Sequence, residues 1–263
     1  MNKQEEKYID SFEPDFDPDQ LLLIDADIMY HRSAYSVERT FDFGGKEPKR
    51  FTDDAEVIAL FTNLLRGVCK NLATTRFILC WTLKKNYRTK VDSSYKANRV
   101  NIRRPTCSDE AKEFLMRTYP SIAVDGLEAD DLMGLNSGSS TIIVSDDKDL
   151  LTIAGLHYQP RKPARGVFGV THKEADYLLY TQILIGDRAD GYTGIPGVGP
   201  KKAEKILEAG GVNWRTILKA YEDYGLHNED ALITARLARI LRTVEYDWTE
   251  DRPILGSPVG NLK

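Results

Sequence analysis

Histidine is scarce in this chain, four residues in 263, and cysteine is scarcer, with three. Cys69, Cys80 and Cys107 show neither C-x-x-C spacing nor an even count. That excludes a disulfide framework and suits a reducing cytoplasm. No histidine or cysteine cluster has the ligand spacing of a zinc site. Long apolar runs are also lacking. Stretches such as Phe77–Trp81 are far too short to cross a bilayer. The acidic N-terminal stretch has no apolar segment of the kind a secretory signal needs. No repeat at a fixed period is visible. What is present, 41% hydrophobic and 29% charged residues, describes a globular chain able to bury one large core or two smaller ones.

A net charge of −4 hides a strong asymmetry. From Lys84 to Arg104 there are eight bases (Lys84, Lys85, Arg88, Lys90, Lys96, Arg99, Arg103, Arg104) against one acid, Asp92. From Asp125 to Asp149 there are seven acids and one base, Lys148. Such a division signals a charged partner rather than a fold.

The hydrophobic pattern alternates. Residues 1–19 read as a loose acidic arm. Leu21–Asp25 and Arg76–Trp81 read as buried strands, separated by a helix over Asp53–Ala73 with acids at its start. Pro105 and a Thr106-x-x-Asp109 capping box open a helix through Tyr119. "SIAVD", "TIIVS" and "LHYQ" read as strands, and "EADDLMGLNS" and "DKDLLTIA" as helices between them. This predicts an α/β fold, a mainly parallel sheet with helices on both faces, over residues 20–172. From Lys173 to the end the texture is helical without clear strands. In such sheets ligands gather beyond the carboxyl ends of the strands. The acids lie there: Asp25 and Asp27 after the first strand, Asp146, Asp147 and Asp149 after "TIIVS", and Glu128, Asp130 and Asp131 at a helix start.

Acids at helix N-termini have a plain explanation in the macrodipole. It accounts for Glu128, Asp130 or Asp131 singly better than for the whole set, which includes the later pair Asp187 and Asp190. Converging carboxylates tolerate one another when cations sit between them, and oxygen-only ligands favour hard ions such as Mg²⁺ or Mn²⁺.

Together "LLLIDAD", "SYKANR", "GLEADDLMG", "VSDDKDL" and "LIGDRADGYTGIPGVGPKKAEKIL" resemble the flap endonuclease superfamily of structure-specific 5′ nucleases, closest to the 5′→3′ exonucleases of short-tailed bacteriophages. The likeness runs from about Leu21 to Leu241. Each motif alone is weak; five in the correct order are strong. The resemblance implies a PIN-like α/β domain, a basic arch at about 82–106, and a C-terminal helical region, 173–263, with a helix–hairpin–helix at about 174–209. It also implies two divalent metals. Asp25, Glu128, Asp130 and Asp131 match the family acids of the first metal. Asp147 and Asp149, with Asp187 and Asp190, match those of the second. Two metals roughly 3.5–4 Å apart can activate an attacking water and stabilise the leaving oxygen.

"SSYKANR" supplies Lys96 and Arg99, spaced so that a helix would carry both on one face. The resemblance gives this pair the scissile phosphate, and Tyr95 beside them could stack a frayed base. Arg32 is a further candidate for phosphate. In "GIPGVGPKK", Gly194, Gly197 and Gly199 let the backbone approach a phosphate closely, and Lys201 and Lys202 add charge. An ordinary tight turn is the plain alternative, but the hairpin followed by two lysines is more specific. In this family it commonly holds K⁺ while gripping duplex DNA by its backbone.

One departure stands out. The family places an aspartate shortly after its second strand, where this chain has Leu83, and no acid occurs between Arg76 and Lys90. The expected activity is a metal-dependent 5′→3′ exonuclease or flap endonuclease acting on DNA 5′ ends, and on RNA–DNA hybrids, in phage replication, primer removal or recombination. It would work as a monomer in the host cytoplasm, without a membrane, with a single-strand binding protein as a possible partner. Two alternatives stand beside it: a catalytically weak branched-DNA-binding protein of the same fold, fed by Leu83, and a PIN-type ribonuclease, against which the arch and glycine hairpin speak.

Overall fold

The computed structural model describes residues 19–42, 44 and 48–255. The expected N-terminal arm therefore lies, except for Asp19, outside the described residues. Six strands form the central sheet: β1 (Leu21–Asp25), β2 (Phe77–Cys80), β3 (Ser121–Ile122), β4 (Thr141–Val144), β5 (Gly155–Tyr158) and β6 (Val167–Val170), in the order β3-β2-β1-β4-β5-β6. All neighbours are parallel except β5 and β6. The expected mainly parallel sheet is thus present, with an antiparallel edge strand that its short, glycine-interrupted sequence "VFGV" did not announce.

Among the described residues eight helices of seven or more residues follow in chain order: α1 (Ala26–Val37), α2 (Asp54–Asn71), α3 (Asp109–Thr118), α4 (Ala129–Leu135), α5 (His172–Ile185), α6 (Pro200–Gly210), α7 (Trp214–Asp223) and α8 (Asn228–Ala238). The period of two along β1 shows why both faces must be covered. Leu22 and Ile24 enter a core with Phe61 and Leu65 of α2 and Leu115 of α3, whereas Leu23 enters an opposite core with Leu132 and Met133 of α4. A third core joins α5, α6, α7 and α8.

Several local readings need correction. α3 is capped by Ser108, whose Oγ accepts from the Ala111 N–H at 3.3 Å, and not by Thr106. Thr106 Oγ1 instead meets Thr52 Oγ1 at 2.8 Å. The helical texture expected from Lys173 to the end breaks after Ala238, where Arg239 is extended and the Leu241 N–H bonds to Asp131 at 3.1 Å. Helix α1 and the exposed hairpin Arg39–Phe41 with Lys49–Phe51 carried no clear sequence signal. No helix among the described residues is long and apolar enough to cross a membrane.

Candidate active site

β1 runs into α1 without a loop, so Asp25 ends the strand and caps the helix. Its Oδ1 accepts from the Ile28 N–H at 3.0 Å, and its Oδ2 accepts from Ser145 Oγ at 2.8 Å. Ser145 follows the neighbouring strand β4, and its Oγ also accepts the Asp147 N–H at 3.0 Å. Asp147 Oδ1 accepts from the Asp149 N–H at 2.9 Å, and Gln182 of α5 donates to Asp149 at 2.6 Å. Two adjacent strand ends therefore line up Asp25, Asp147 and Asp149. Glu128 sits immediately before α4 and Asp130 in its first turn.

Burial pushes the Asp25 carboxyl up to about 7, helped by repulsion from Asp27 and Asp147 and opposed by its two hydrogen bonds. Asp149 is likewise pushed up to about 7, by burial first and then by Asp147, Asp187 and Asp190. Asp130 is raised well above the usual carboxylate range by burial and by Asp25, Asp147 and Glu128. It accepts no hydrogen bond among the described residues. These acids feel one another strongly, although no three described acids stand close enough to close on one ion as they are. Lys96 Nζ lies among them instead, 2.5 Å from Glu128 and 3.5 Å from Asp190.

Glu128 differs from its neighbours. Burial alone would raise its carboxyl, but Arg88 and Lys96, with a bond from Tyr95, hold it at about 2. Arg88 is 2% exposed and Asp131 is fully buried. They form a bidentate pair at 2.7 and 2.8 Å, and Asp131 also accepts the N–H groups of Glu128 (3.2 Å) and Leu241 (3.1 Å). Every lone-pair direction of Asp131 is engaged, so its assignment as a metal ligand is corrected. It is a structural acid, although its neighbour in the chain is not. Burial of Arg88 carries no signal in a segment so basic that all its members read as surface.

The arch residues also need correction. Lys96 does not share a helical face with Arg99, because it adopts a left-handed conformation (φ 56°) just before a 3₁₀ turn, Ala97–Asn101. The two still converge. Lys96 and Arg99 both pair with Asp190, and the Lys96 N–H donates to the Asp190 carbonyl at 2.7 Å. Tyr95 is buried in the core of the C-terminal helices, its single hydroxyl proton shared between Glu128 at 3.0 Å and Asp190 at 3.1 Å, so its ring is not offered to a base. Asp187 turns inward on its own loop, accepting the N–H groups of Ala189 and Asp190 at 2.6 and 3.3 Å. Arg32 is exposed on α1 and lines a cavity of about 190 Å³ with Asp25, Ser145 and Asp146.

Asp27 and Asp146, left outside the ligand set, have other partners. Asp27 accepts from the Thr82 N–H and from Lys112, each at 2.7 Å, and Asp146 accepts the Arg161 N–H at 2.9 Å. Thr82 Oγ1 accepts the Ala129 N–H at 2.9 Å, which fastens the chain after β2 to the start of α4. Leu83, the next residue, is 37% exposed.

The glycine hairpin lies between α5 and α6. At Gly194 an added Cβ would meet the Leu184 carbonyl at 2.4 Å, and Gly197 has φ +75°, so both positions require glycine. Gly199 precedes Pro200, the first residue of α6, and Lys201 and Lys202 are exposed in its first turn. Cations oppose the dipole at a helix N-terminus, and an anion there would be stabilised by both.

Residues 20–161, more than half of the chain, match the family described as "5′-3′ exonuclease, N-terminal resolvase-like domain", and the chain belongs to that family. It is accordingly a 5′ nuclease with a resolvase-like, PIN-type sheet. It is 24% identical to the exonuclease of Escherichia phage T7 over an alignment that covers 90% of this chain and 93% of that protein. To the exodeoxyribonuclease of Enterobacteria phage T3 it is 27% identical over an alignment that covers 69% of this chain and 73% of the other. A solved structure of the phage T5 D15 protein, co-crystallised with metal ions, shares the fold with a TM-score of 0.59 at 16% identity, over 84% of this chain and 88% of that one. These relatives do not favour the binding-protein or ribonuclease alternatives.

Proposed function

We propose that this chain hydrolyses phosphodiesters from DNA 5′ ends with divalent metal ions held by Asp25, Glu128, Asp130, Asp147 and Asp149, with Asp187 and Asp190 acting through their loop. The observation that carries the reading is the set of desolvated, mutually repelling carboxyls at the carboxyl edge of the sheet, with Asp130 lacking any hydrogen-bond donor among the described residues. An oxygen-only, charge-rich donor set of this kind fits a hard cation such as Mg²⁺ or Mn²⁺. When bound, a pair of such ions supplies the charge that activates water and stabilises the leaving oxygen.

The chain's own residues divide the remaining work. Ser145 and Gln182 hold Asp25, Asp147 and Asp149 in place. Lys96 and Arg99 carry partly exposed positive charge beside the acids, where Arg88 is buried, and are the groups placed to meet the reacting phosphate. The hairpin at Gly194–Gly199, with Lys201 and Lys202, grips the duplex backbone, with K⁺ on its main-chain carbonyls. The T5 D15 flap endonuclease has been solved with DNA and metal ions, which supports a DNA substrate here. Flaps, RNA–DNA hybrids, a monomeric enzyme, a single-strand binding partner and duty in an infected cell's cytoplasm belong to the same proposal.

The test is cleavage of a 5′-labelled duplex against Mg²⁺, Mn²⁺ and EDTA. Release of 5′-phosphate products that requires the divalent ion supports the proposal; equal cleavage in EDTA refutes it. Lys201→Ala/Lys202→Ala should lower the salt slope of duplex binding by roughly 1–2 units, and an unchanged slope removes the hairpin from the assignment.

A further inference from the structure

The guanidinium of Arg88 has five N–H donors, and five bonds use them. Nε donates to the Leu237 carbonyl at 3.0 Å. Nη1 donates to Asp131 at 2.7 Å and Glu128 at 3.2 Å, and Nη2 to Asp131 at 2.8 Å and to the Arg239 carbonyl at 2.6 Å. Its charge also lies 4.7 Å from the Tyr87 ring centroid. The acceptors belong to two parts of the fold, and Arg88 ties both to a third. Glu128 and Asp131 bracket the start of α4, Leu237 and Arg239 mark the C-terminal end of α8, and Arg88 itself stands at the base of the basic segment.

We infer that Arg88 is a positioning residue for the nuclease reaction. It orients the Glu128 carboxylate toward the other site acids, and it holds the end of α8 against the start of α4. The helical region and the acid site thereby keep one register. A guanidinium this buried needs acceptors for all five donors, and here one of them is the Glu128 carboxylate of the proposed site. The bond to Glu128 and the two carbonyl bonds add direction that a lysine's compact ammonium cannot reproduce. The Asp131 bond to the Glu128 N–H fixes the same residue from its backbone side. The inference rests on the proposed acid site, and Arg88 itself need not touch substrate.

Two variants separate positioning from folding. Arg88→Lys keeps the charge but loses the fork. Arg88→Met/Asp131→Leu replaces the buried pair with apolar groups, an exchange that often leaves stability intact. Both are measured by thermal melting, by kcat and KM on a 5′-labelled duplex, and by the Mg²⁺ concentration for half-maximal rate. The expected result is a fall in kcat of about tenfold to a hundredfold in each variant, as for a misplaced catalytic group, with KM within about threefold. The Mg²⁺ requirement should rise, and the double variant should still melt near the parent temperature. Recovery of parental kcat in the double variant would reduce Arg88 to a structural role and overturn the inference. Failure of both variants to fold would overturn it too, since the contact would then serve folding alone. An inactive parent chain would instead count against the proposed function.

Discussion

The two sides of the first turn of α4 carry the same kind of charge in opposite circumstances. On one side Asp131 and Glu128 face Arg88, and the burial that would raise the Glu128 carboxyl is outweighed by Arg88 and Lys96, which hold it at about 2. On the other, Asp130 faces Asp25 and Asp147 with no base bonded to it, and its carboxyl is raised well above the usual range. Density of acids is therefore not what marks a site. How completely the fold fills an acid's lone pairs separates Asp131, which accepts four bonds, from Asp130, which remains available to a ligand.

That contrast predicts opposite phenotypes for adjacent residues. Asp130→Ala should lower turnover in Mg²⁺ by at least about a thousandfold while duplex affinity and melting temperature hold, because it removes a repelled charge from the reacting centre. Near-parental turnover would break the comparison. Asp131→Ala should act on the fold instead. Arg88 would be left buried without its main partner, at a cost of about 3–5 kcal/mol in urea unfolding. Equal stability of parent and variant would show that the pair is not the anchor its geometry suggests.

The comparison also shows what was legible beforehand. The alternation of apolar runs and the acids at strand ends were readable because period and burial are local properties. The placement of Asp25, Glu128, Asp130, Asp147 and Asp149 at strand and helix ends came with them. The roles of Asp131 and Tyr95 were not readable, because each depends on a partner distant in the chain: Arg88 and Leu241 for one, the C-terminal helices for the other. The end of α8 was hidden for the same reason. A helical pattern continues past Ala238, but the carbonyls of Leu237 and Arg239 and the N–H of Leu241 are taken by Arg88 and Asp131. Tertiary bonds override a local preference there.

A third way of treating a buried titratable group sharpens the contrast. His157 is buried in β5, bonded through Nε2 to the Ile153 carbonyl at 2.8 Å and stacked on Phe168, with neither an acid nor an ion to keep it charged. Burial lowers it from 6.5 to about 4. The unfolded chain therefore binds this proton more readily. The stability that the neutral ring provides is complete above pH 6.5 and is lost as pH falls from 6.5 toward 4. Over that window the loss amounts to about 3 kcal/mol. His157→Gln should flatten this part of the stability profile relative to the parent. Identical acid limbs for the two proteins would remove His157 as their cause.

The smallest expected effect concerns Leu83, where the family pattern has an acid. Its backbone neighbour Thr82 is bonded to Asp27 on one side and to the Ala129 N–H on the other, so residue 83 follows a point anchored beside Glu128 and Asp130. Leu83 is 37% exposed, so an aspartate there would not be stranded in the core, and Leu83→Asp should change stability by no more than about 0.5 kcal/mol. An added oxygen ligand should lower the Mg²⁺ concentration for half-maximal rate by about tenfold, equivalent to roughly 1.4 kcal/mol. A competing base is close by. Lys112 lies 2.9 Å from the Thr82 carbonyl and already pairs with Asp27. If it captured the introduced carboxylate, the Mg²⁺ requirement would not move. Leu83→Asp is therefore measured alone and with Lys112→Met. A reduced Mg²⁺ requirement in either background supports a ligand position after β2; an unchanged requirement in both, with melting unaffected, shows that this chain's site is complete without one.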